Sequence, residues 1–458
     1  MVLHSDTIVA LSTPPGRSGI GVIRVSGADS LNILRILVKS HSFDPSPNQL
    51  SLRSVFDPES DQALDQALVC FFKGPHSFTG EDLVELHCHG SPVLLRAVIE
   101  IILNAGARLA QPGEFSLRAV ANGRLKLTEA EAIRDLIDAQ TDAALRQATR
   151  QLKGEISNAL QPAKDDLLKI IVRLESSLEF VEDDLPAFES REISKALQHT
   201  RSSLAELAGT FRQGKLIRDG LKVAFVGRPN VGKSSLFNRL LGQSRAIVTE
   251  IPGTTRDTIT EAIGLDGVPI VLFDTAGIRA SDDEIESIGV ARTRRAAADA
   301  DLLIVVIDGS EALHDEDRIV LAEVADTQHI VTLNKSDLPN FSVTHFDSEA
   351  RAPLFPIIPV SAKTDAGLES LRAAILQPFA NGTGQSESLL ITNARHYDLL
   401  MRAVDAIVSS QGLLDERASE EIILIGLHNA LRYLDEITGE TTTEEILGQI
   451  FSTFCIGK

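Results

Sequence analysis

Residues 227–234, with the sequence GRPNVGKS, match the Gly-x-x-x-x-Gly-Lys-Ser pattern of a phosphate-binding loop. In such a loop the glycines let backbone N–H groups close around phosphate oxygens, the lysine brings positive charge, and the serine hydroxyl can reach Mg²⁺. The loop directly follows the apolar run 221–226, as a strand–loop–helix unit requires. Lys233 and Ser234 are therefore candidate phosphate and magnesium ligands.

Three further polar motifs follow apolar, strand-like runs. The sequence DTAG begins at Asp274, where a Walker-B aspartate at a strand end would reach Mg²⁺. The sequences NKSD at 334–337 and SAK at 361–363 resemble the base-reading motifs of GTPases. In those motifs an aspartate, here Asp337, accepts hydrogen bonds from N1–H and the 2-amino group of guanine, a donor pair that adenine lacks. Each motif alone could be a polar turn, but four in order predict a GTP-binding domain.

The chain around these motifs divides into zones of different composition. Residues 1–119 alternate β-branched runs with Gly and Pro turns, which favours a compact α+β domain. Residues 120–219 and 381–458 carry apolar positions at helical spacing and are predicted to pack together as one all-α domain. Residues 220–380 alternate strand and helix patterns, typical of a doubly wound α/β domain inserted in the helical one. Independent helical linkers are the alternative.

The composition predicts a large protein of the cytoplasm without a membrane role. Its 458 residues are enough for about three domains, and no apolar run approaches the ~20 residues of a spanning helix. The three cysteines, Cys70, Cys88 and Cys455, are too few for a disulfide framework. A net charge of −20 disfavours independent binding to nucleic acid, so any RNA contact is expected to be local or to involve a partner.

Five short segments outside the GTPase motifs point to one family. They are DTIVA at 6–10, PPGR at 14–17, SFTGED at 77–82, PGEFS at 112–116 and CIGK at 455–458. With the GTPase motifs they resemble, over essentially the whole chain, the MnmE (TrmE) family of tRNA-modification GTPases. The resemblance implies a folate-binding-like, dimerising N-terminal α+β domain, an all-α helical domain formed by two chain segments, and an inserted Ras-like GTPase domain (G domain).

The resemblance extends the nucleotide site beyond the motifs. The implied GTP contacts are Asn230, Val231, Gly232, Lys233, Ser234, Ser235, Thr249, Glu250, Ile251, Pro252, Gly253, Thr254, Thr255, Asp274, Thr275, Ala276, Gly277, Asn334, Lys335, Asp337, Ser361, Ala362 and Lys363. Among them, Ser234 and Thr255 would hold Mg²⁺.

The family also implies a potassium site, formed when the G domains of two subunits meet. The Asn230 side chain would be one K⁺ ligand, and Thr249, Ile251 and Thr254 would supply further oxygens. A cation there would stand in for an arginine finger, which is not identifiable in this sequence. From the residues alone, the simpler interpretation is that Asn230 only caps the loop.

The position after DTAG holds Ile278, where Ras-like GTPases often have a glutamine that orients the attacking water. An isoleucine cannot hydrogen-bond water, so another group must orient it. Four acidic residues lie within 282–286, and the residues alone do not choose among them. The resemblance assigns the role to Glu286.

A folate site is implied in the N-terminal domain, with a 5-formyl- or methylene-tetrahydrofolate as ligand. The family's contacts map onto Arg24, Glu85, Arg124 and Lys458. Arg124 stands where some relatives carry lysine, which keeps the charge and changes the geometry.

Three other side chains could take part in chemistry. His87 and His89 share a strand face around Cys88, but no further ligands complete a metal site, so a structural or pocket-lining role is expected. Cys455 is read as a small buried apolar residue, or, by the resemblance, as a participant in the modification reaction.

The function implied by the resemblance is that of a K⁺-stimulated GTPase acting as a homodimer on tRNA. With the flavoprotein MnmG (GidA), which carries FAD, it would add an aminomethyl or carboxymethylaminomethyl group to C5 of the wobble uridine (U34), using a folate one-carbon unit. Two alternatives remain open: a ribosome-assembly GTPase of the Era or Der type, and a folate-binding regulator without tRNA chemistry. Those GTPases carry an RNA-binding KH domain or tandem G domains, whereas this chain has one P-loop and no GxxG-type KH segment after it.

Overall fold

The computed structural model describes residues 6–179, 187–243, 245–246, 259–266, 268–274, 298–347, 357–380, 388–441 and 444–457. The chain forms two compact units. The first unit contains residues 1–134, 151–201 and 402–458, and the second contains residues 135–150 and 202–401. In the described ranges, no helix is long and apolar enough to cross a membrane.

A six-stranded sheet forms the base of the first unit. Its strands are β1 (Ile8–Leu11), β2 (Ser18–Ser26), β3 (Ser51–Phe56), β4 (Ala63–Phe72), β5 (Leu83–Gly90) and β6 (Arg108–Leu109), in the spatial order β3-β4-β5-β2-β1-β6. All neighbours are antiparallel except the pair β1 and β6. Antiparallel strands connected by short turns explain why this part of the sequence alternates β-branched runs with Gly and Pro.

The two faces of this sheet have different roles. Residues such as Val84 and Leu86 are buried against helices α1 (Ser30–Leu37) and α2 (Pro92–Asn104). Because strand side chains alternate, Glu85 and His87 point to the opposite face, which we call the outer face.

Helices complete the first unit. Helix α3 (Glu114–Ala121) follows the sheet, and α6 (Glu155–Glu179) packs along α14 (Glu420–Thr438). The buried amino group of Lys164 lies 2.6 Å from Asp435 and 2.9 Å from Glu440, which ties the two chain segments together. The last helix, α15 (Glu444–Phe451), contacts α3 through an apolar cluster.

Four helices contain the limits between the two units. They are α4 (Leu127–Asp138), α5 (Asp142–Leu152), α7 (Ala187–Gly209) and α13 (Ala394–Asp415). The predicted domain bounds at 119, 219 and 380 were drawn from the composition of the sequence, whereas the two units are defined by packing contacts. The bounds therefore stay a prediction.

The second unit is built on a seven-stranded sheet. Its strands are β7 (Leu221–Val226), β8 (Arg245–Ala246), β9 (Ile259–Leu265), β10 (Val268–Asp274), β11 (Leu302–Asp308), β12 (His329–Asn334) and β13 (Ile357–Pro359), in the order β13-β12-β11-β7-β10-β9-β8. The five strands from β13 to β10 are parallel, and β9 and β8 run antiparallel at the edge. The described helices are α8 (Phe211–Asp219), α9 (Lys233–Gln243), α10 (Asp315–Glu323), α11 (Thr344–Asp347) and α12 (Leu368–Ala380).

Three of the motifs identified in the sequence follow parallel strands directly. The phosphate-binding loop follows β7, NKSD starts at the end of β12, and SAK follows β13. In doubly wound sheets, ligands bind outside the carboxyl ends of the strands. The strand order therefore gathers these motifs at one edge of the second unit.

Candidate functional site

The phosphate-binding loop needs glycine at two positions because other parts of the site approach its backbone closely. Gly227 has φ +142°, and a Cβ there would lie 2.3 Å from the carbonyl oxygen of Val306 on β11. Gly232 has φ +97°, and a Cβ there would lie 2.2 Å from Nδ2 of Asn334. Both the left-handed backbone and the close contacts exclude larger residues.

The phosphate-binding lysine lies at the start of helix α9. Nζ of Lys233 donates hydrogen bonds of 2.8 Å to the carbonyl oxygens of Gly227 and Arg228. These contacts hold the ammonium group over the loop, at the positive end of a helix dipole, where anionic phosphates bind favourably. Ser234, the predicted magnesium ligand, lies beside it and is exposed.

Asn230 is exposed in the middle of the loop and has a left-handed backbone, with φ +64°. Asparagine tolerates this conformation better than most residues, which agrees with a role in capping the loop and equally with a role as a ligand.

Several predicted residues lie outside the described part of the chain. They are Thr249, Glu250, Ile251, Pro252, Gly253, Thr254, Thr255, Thr275, Ala276, Gly277, Glu286 and Lys458. The backbone of Asp274 ends strand β10, as expected for a Walker-B position.

Asp337 is exposed at the guanine-reading position. Its Oδ1 accepts a hydrogen bond of 2.7 Å from Oγ of Ser361, and this bond holds the pKa of the carboxyl below its ordinary value. Oγ of Ser361 in turn accepts hydrogen bonds from the backbone N–H groups of Lys363 and Thr364. The NKSD and SAK motifs therefore form one hydrogen-bonded assembly with an ionised acceptor.

Asn334, predicted to contact nucleotide, also connects two motifs. Its Nδ2 donates to the carbonyl oxygen of Val231 in the phosphate-binding loop at 2.8 Å. Its Oδ1 accepts from the backbone N–H of Ala362 at 3.1 Å. A single buried amide thus joins the phosphate-binding loop to the base-reading segments.

Asp308, at the end of β11, was missed by sequence reasoning. It is buried, and it accepts hydrogen bonds from the amino group of Lys335 and from N and Oγ of Ser310. Burial alone would raise the pKa of Asp308, but these hydrogen bonds outweigh it and lower the pKa. An acid directly after the apolar run 302–307 was the available signal, because the other motifs follow strands in the same way.

In the first unit, two predicted folate contacts form a cross-strand pair. Nε and Nη2 of Arg24 donate to Oε1 of Glu85 at 3.0 and 2.7 Å. The guanidinium lies over the rings of Phe78 and Phe115, 5.3 and 5.8 Å from their centroids. Nε of Arg124 donates to the carbonyl oxygen of Ser77 at 3.0 Å, in the same loop as Phe78.

The C-terminal segment reaches this pair. The carbonyl oxygen of Gly457 accepts hydrogen bonds from Oγ of Ser12 at 3.1 Å and from Nη1 of Arg24 at 3.4 Å. Gly457 has φ +93°, and a Cβ there would lie 2.6 Å from the carbonyl oxygen of Leu11. The interpretation of Cys455 as a buried apolar residue is wrong, because its side chain is exposed.

A charge network centred on the buried Arg118 and Glu114 supports the loops around Arg24. Arg118 contacts Asp6, Glu81 and Glu114, and Arg108 contacts Asp6 and Glu114. Burial raises the pKa of Glu114, but the hydrogen bonds from Arg108 and from the backbone N–H of Gln111, together with the charges of Arg108 and Arg118, outweigh this effect, so the pKa is lowered. Phe115 follows Glu114 directly in the sequence. The network therefore fixes the segment that carries this ring.

The two histidines of β5 both contact carboxylates. Nε2 of His87 lies 3.4 Å from Oε2 of Glu85, and Nδ1 of His89 lies 2.6 Å from Oδ1 of Asp65. Cys88 is buried on the other face, and burial raises the pKa of its thiol to about 12. Across the residues that the structure covers, no group of three or more His, Cys, Asp or Glu could hold a metal ion.

Comparisons with known proteins identify the family of the chain. A family model described as the MnmE helical domain matches residues 127–455, and one described as the N-terminus of the GTP-binding protein TrmE matches residues 7–124. A "tRNA modification GTPase MnmE" from Koribacter versatilis is 44% identical over 456 residues, with 99% of each chain covered. One from Aquifex aeolicus is 42% identical over 455 residues, with 99% of this chain and 100% of the relative covered.

Proposed function

This chain belongs to the MnmE family of tRNA modification GTPases, and we propose that it couples GTP hydrolysis to a folate-dependent modification of the tRNA wobble uridine. The family and the fold class predicted from the sequence are confirmed by two family models and by relatives that match at full length. The observation that carries the GTPase function is the meeting of the phosphate-binding loop, NKSD and SAK at the carboxyl ends of parallel strands, joined by Asn334.

For hydrolysis, we propose that Mg²⁺ is held by Ser234 and Thr255 and that K⁺ is held by Asn230, Thr249, Ile251 and Thr254. The chemistry of these groups fits, because hydroxyl, amide and carbonyl oxygens suit hard cations. When bound, the two cations would neutralise charge that develops on the phosphates. Lys233 binds the phosphates, and Glu286 orients the attacking water in place of the glutamine that Ile278 replaces.

For the folate, we propose that Arg24, Glu85, Arg124 and Lys458 bind 5-formyl- or methylene-tetrahydrofolate. Support comes from the pairing of Arg24 with Glu85 beside two phenylalanine rings, which together offer cationic, anionic and apolar contacts. A pterin needs both a hydrogen-bonding edge and a flat apolar surface, and a glutamyl carboxylate needs a cation. The exposed thiol of Cys455 lies next to the segment that contacts Arg24, and we propose that it takes part in the modification.

We further propose that the chain forms a homodimer through the first unit, in the cytoplasm, and acts with the FAD-carrying flavoprotein MnmG. Support for the dimer comes from apolar side chains on the outer face: Leu52 is 59% and Leu68 is 41% exposed. Leu52 of β3 and Leu68 of β4 are directly paired, and Leu68 is paired in turn with His87 of β5. An exposed apolar pair on a sheet face favours an interface.

A reconstituted modification assay tests the proposal. The chain, the flavoprotein, tRNA, GTP and a tetrahydrofolate are combined in K⁺ or in Na⁺, and nucleosides are analysed by mass spectrometry. We expect modified wobble uridine only in the complete K⁺ mixture. Arg24→Ala should abolish modification while GTP turnover persists, and Glu286→Ala should abolish turnover while GTP binding persists.

Each alternative gives a different result when GTP turnover and folate binding are measured together with the modified nucleosides. GTP turnover without any modified uridine in the complete mixture would favour a ribosome-assembly switch. Folate binding with neither turnover nor modification would favour a regulator. Equal GTP turnover in Na⁺ and in K⁺ would reject the potassium site and leave the rest of the proposal standing.

A further inference from the structure

We propose that Arg228 is a positioning residue of the nucleotide site, because its side chain fastens the phosphate-binding loop to the turn that follows strand β11. This segment, which we call the β11 turn, comprises residues 308–317, from the last residue of β11 to the first turn of helix α10, and it carries none of the GTPase motifs. The inference rests on nucleotide binding by the second unit, which is part of the proposed function.

The side chain of Arg228 contacts a pair of acids. Its Nη2 donates to Oε2 of Glu311 at 2.8 Å, and its Nε lies 3.3 Å from Oδ2 of Asp317. The side chains of Arg228 and Asp317 are only 16% and 1% exposed. Burial raises the pKa of Asp317, so its ionised form needs a neighbouring cation, and Arg228 supplies it.

The backbone of the same residue contacts the phosphate-binding lysine. The carbonyl oxygen of Arg228 accepts a hydrogen bond of 2.8 Å from Nζ of Lys233. One residue therefore links Lys233 to the β11 turn, through its backbone on one side and its guanidinium on the other. A shift of this residue would displace Lys233 and also Asn230, which lies two positions further along the loop.

The β11 turn also holds the base-reading segment. Asp308, at the start of the turn, accepts a hydrogen bond from the amino group of Lys335 in NKSD. The β11 turn thus pairs with one cationic side chain from the phosphate-binding loop, Arg228, and with one from the base-reading motif, Lys335. We infer that it sets the distance between the two ends of the nucleotide site.

A set of arginine variants tests the inference. Affinities for a fluorescent GDP analogue and for GTP, together with kcat and KM, are measured for wild type, Arg228→Ala and Arg228→Lys. Arg318→Ala is the matched control, since Arg318 pairs with the exposed Asp315 at 2.7 Å on helix α10 and does not contact the loop through that pair. Unfolding is followed without nucleotide, so that loss of stability is measured separately.

We expect Arg228→Ala to weaken GDP and GTP binding at least tenfold and Arg228→Lys to show an intermediate loss, because lysine keeps the charge without the fork of donors. Arg318→Ala should stay within twofold of wild type. If Arg228→Ala does not fold, Glu311→Gln replaces it, since this change removes the more exposed contact and should weaken binding about threefold.

Three results would overturn the inference. One is nucleotide affinity within twofold of wild type in Arg228→Ala, whatever its Tm, and another is wild-type affinity in both Arg228→Lys and Glu311→Gln. The third is full recovery of affinity in Arg228→Ala combined with Asp317→Asn, which would show that only the uncompensated acid mattered. Failure of the wild-type chain to bind GDP or GTP would instead reject the proposed GTPase function.

Discussion

Replacing Asn334 with alanine tests whether one buried amide holds the nucleotide site together. Asn334 is 3% exposed and makes two hydrogen bonds, to the carbonyl oxygen of Val231 at 2.8 Å and from the N–H of Ala362 at 3.1 Å. Alanine lacks the side-chain amide, so the carbonyl oxygen of Val231 and the N–H of Ala362 both lose these hydrogen bonds. The phosphate-binding loop and the SAK segment also lose their shared contact.

The size of the effect follows from these two groups. An unsatisfied buried polar group costs about 1–3 kcal/mol, so the two together cost roughly 2–6 kcal/mol. Water can reach the half-buried Ala362, which favours the lower half of the range, about 3 kcal/mol. If this cost falls on the binding-competent loops, nucleotide affinity drops by about 10²-fold. If it falls on the whole unit, Tm drops by roughly 6–12 °C, at about 2–4 °C per kcal/mol.

Titration with a fluorescent GDP analogue, and thermal unfolding with and without GDP, separate the two outcomes. Thr332→Val is the control, because the buried Thr332 of β12 donates one side-chain hydrogen bond, to the carbonyl oxygen of Val305 on β11 at 3.1 Å. Asn334→Asp keeps the acceptor for Ala362 but sets an anion against the Val231 carbonyl, so affinity should fall at least as far as with alanine. An Asn334→Ala protein that binds GDP within threefold of wild type, with an unchanged Tm, would refute the reasoning.

Two further changes should have directional effects. Asp337→Asn should weaken GTP binding by about tenfold or more and strengthen XTP binding. The reason is that an amide can donate to the xanthine O2 but cannot accept from two guanine donors as a carboxylate does. Competition between the two nucleotides measures this change in preference. The lowered pKa of Glu114 means that its ionised form stabilises the fold above its unfolded pKa and that this contribution is lost as pH falls through the folded pKa. Wild-type Tm should therefore fall more steeply than that of Glu114→Gln between about pH 5 and pH 3, and parallel curves would contradict the role of Glu114.

The strands that position the nucleotide motifs were predictable from the sequence. The apolar run 221–226 is strand β7, and the runs before NKSD and SAK fall in β12 and β13. Strands buried on both faces of a parallel sheet read as continuous apolar runs, and this signal depends on no other part of the chain. Polar residues at their carboxyl ends therefore had to meet at one edge.

The contacts that hold these motifs together were not predictable in the same way. Asp308 meets Lys335 because β11 is the neighbour of β12, and Arg228 meets Asp317 because β11 is also the neighbour of β7. Strand order is a property of the assembled sheet, and the sequence alone does not state it. The individual acids were visible in the sequence, but their partners were not.

The folate candidates show a similar division. Alternation along β5 places Glu85 on the face opposite to that of the buried Val84 and Leu86. The register that brings Glu85 to Arg24 depends on the pairing of β5 with β2. The contact between Ser12 and Gly457 joins residues 445 positions apart. Family resemblance grouped the two ends of the chain at this site, whereas periodicity and spacing could not.

Side-chain contacts hold the nucleotide site at both its phosphate end and its base end, and this affects how it binds nucleotide. Asn334 connects the phosphate-binding loop to SAK. Asp308 pairs with Lys335 of NKSD, and Asp317 pairs with Arg228 of the loop. Groups joined in this way cannot move independently, so the segments that contact phosphate and base should order as one body. Interactions within such a network are expected to be non-additive. Loosening the phosphate end at Arg228 should therefore also weaken discrimination at the base end, although Arg228 itself contacts neither Asp337 nor Ser361 in the described structure.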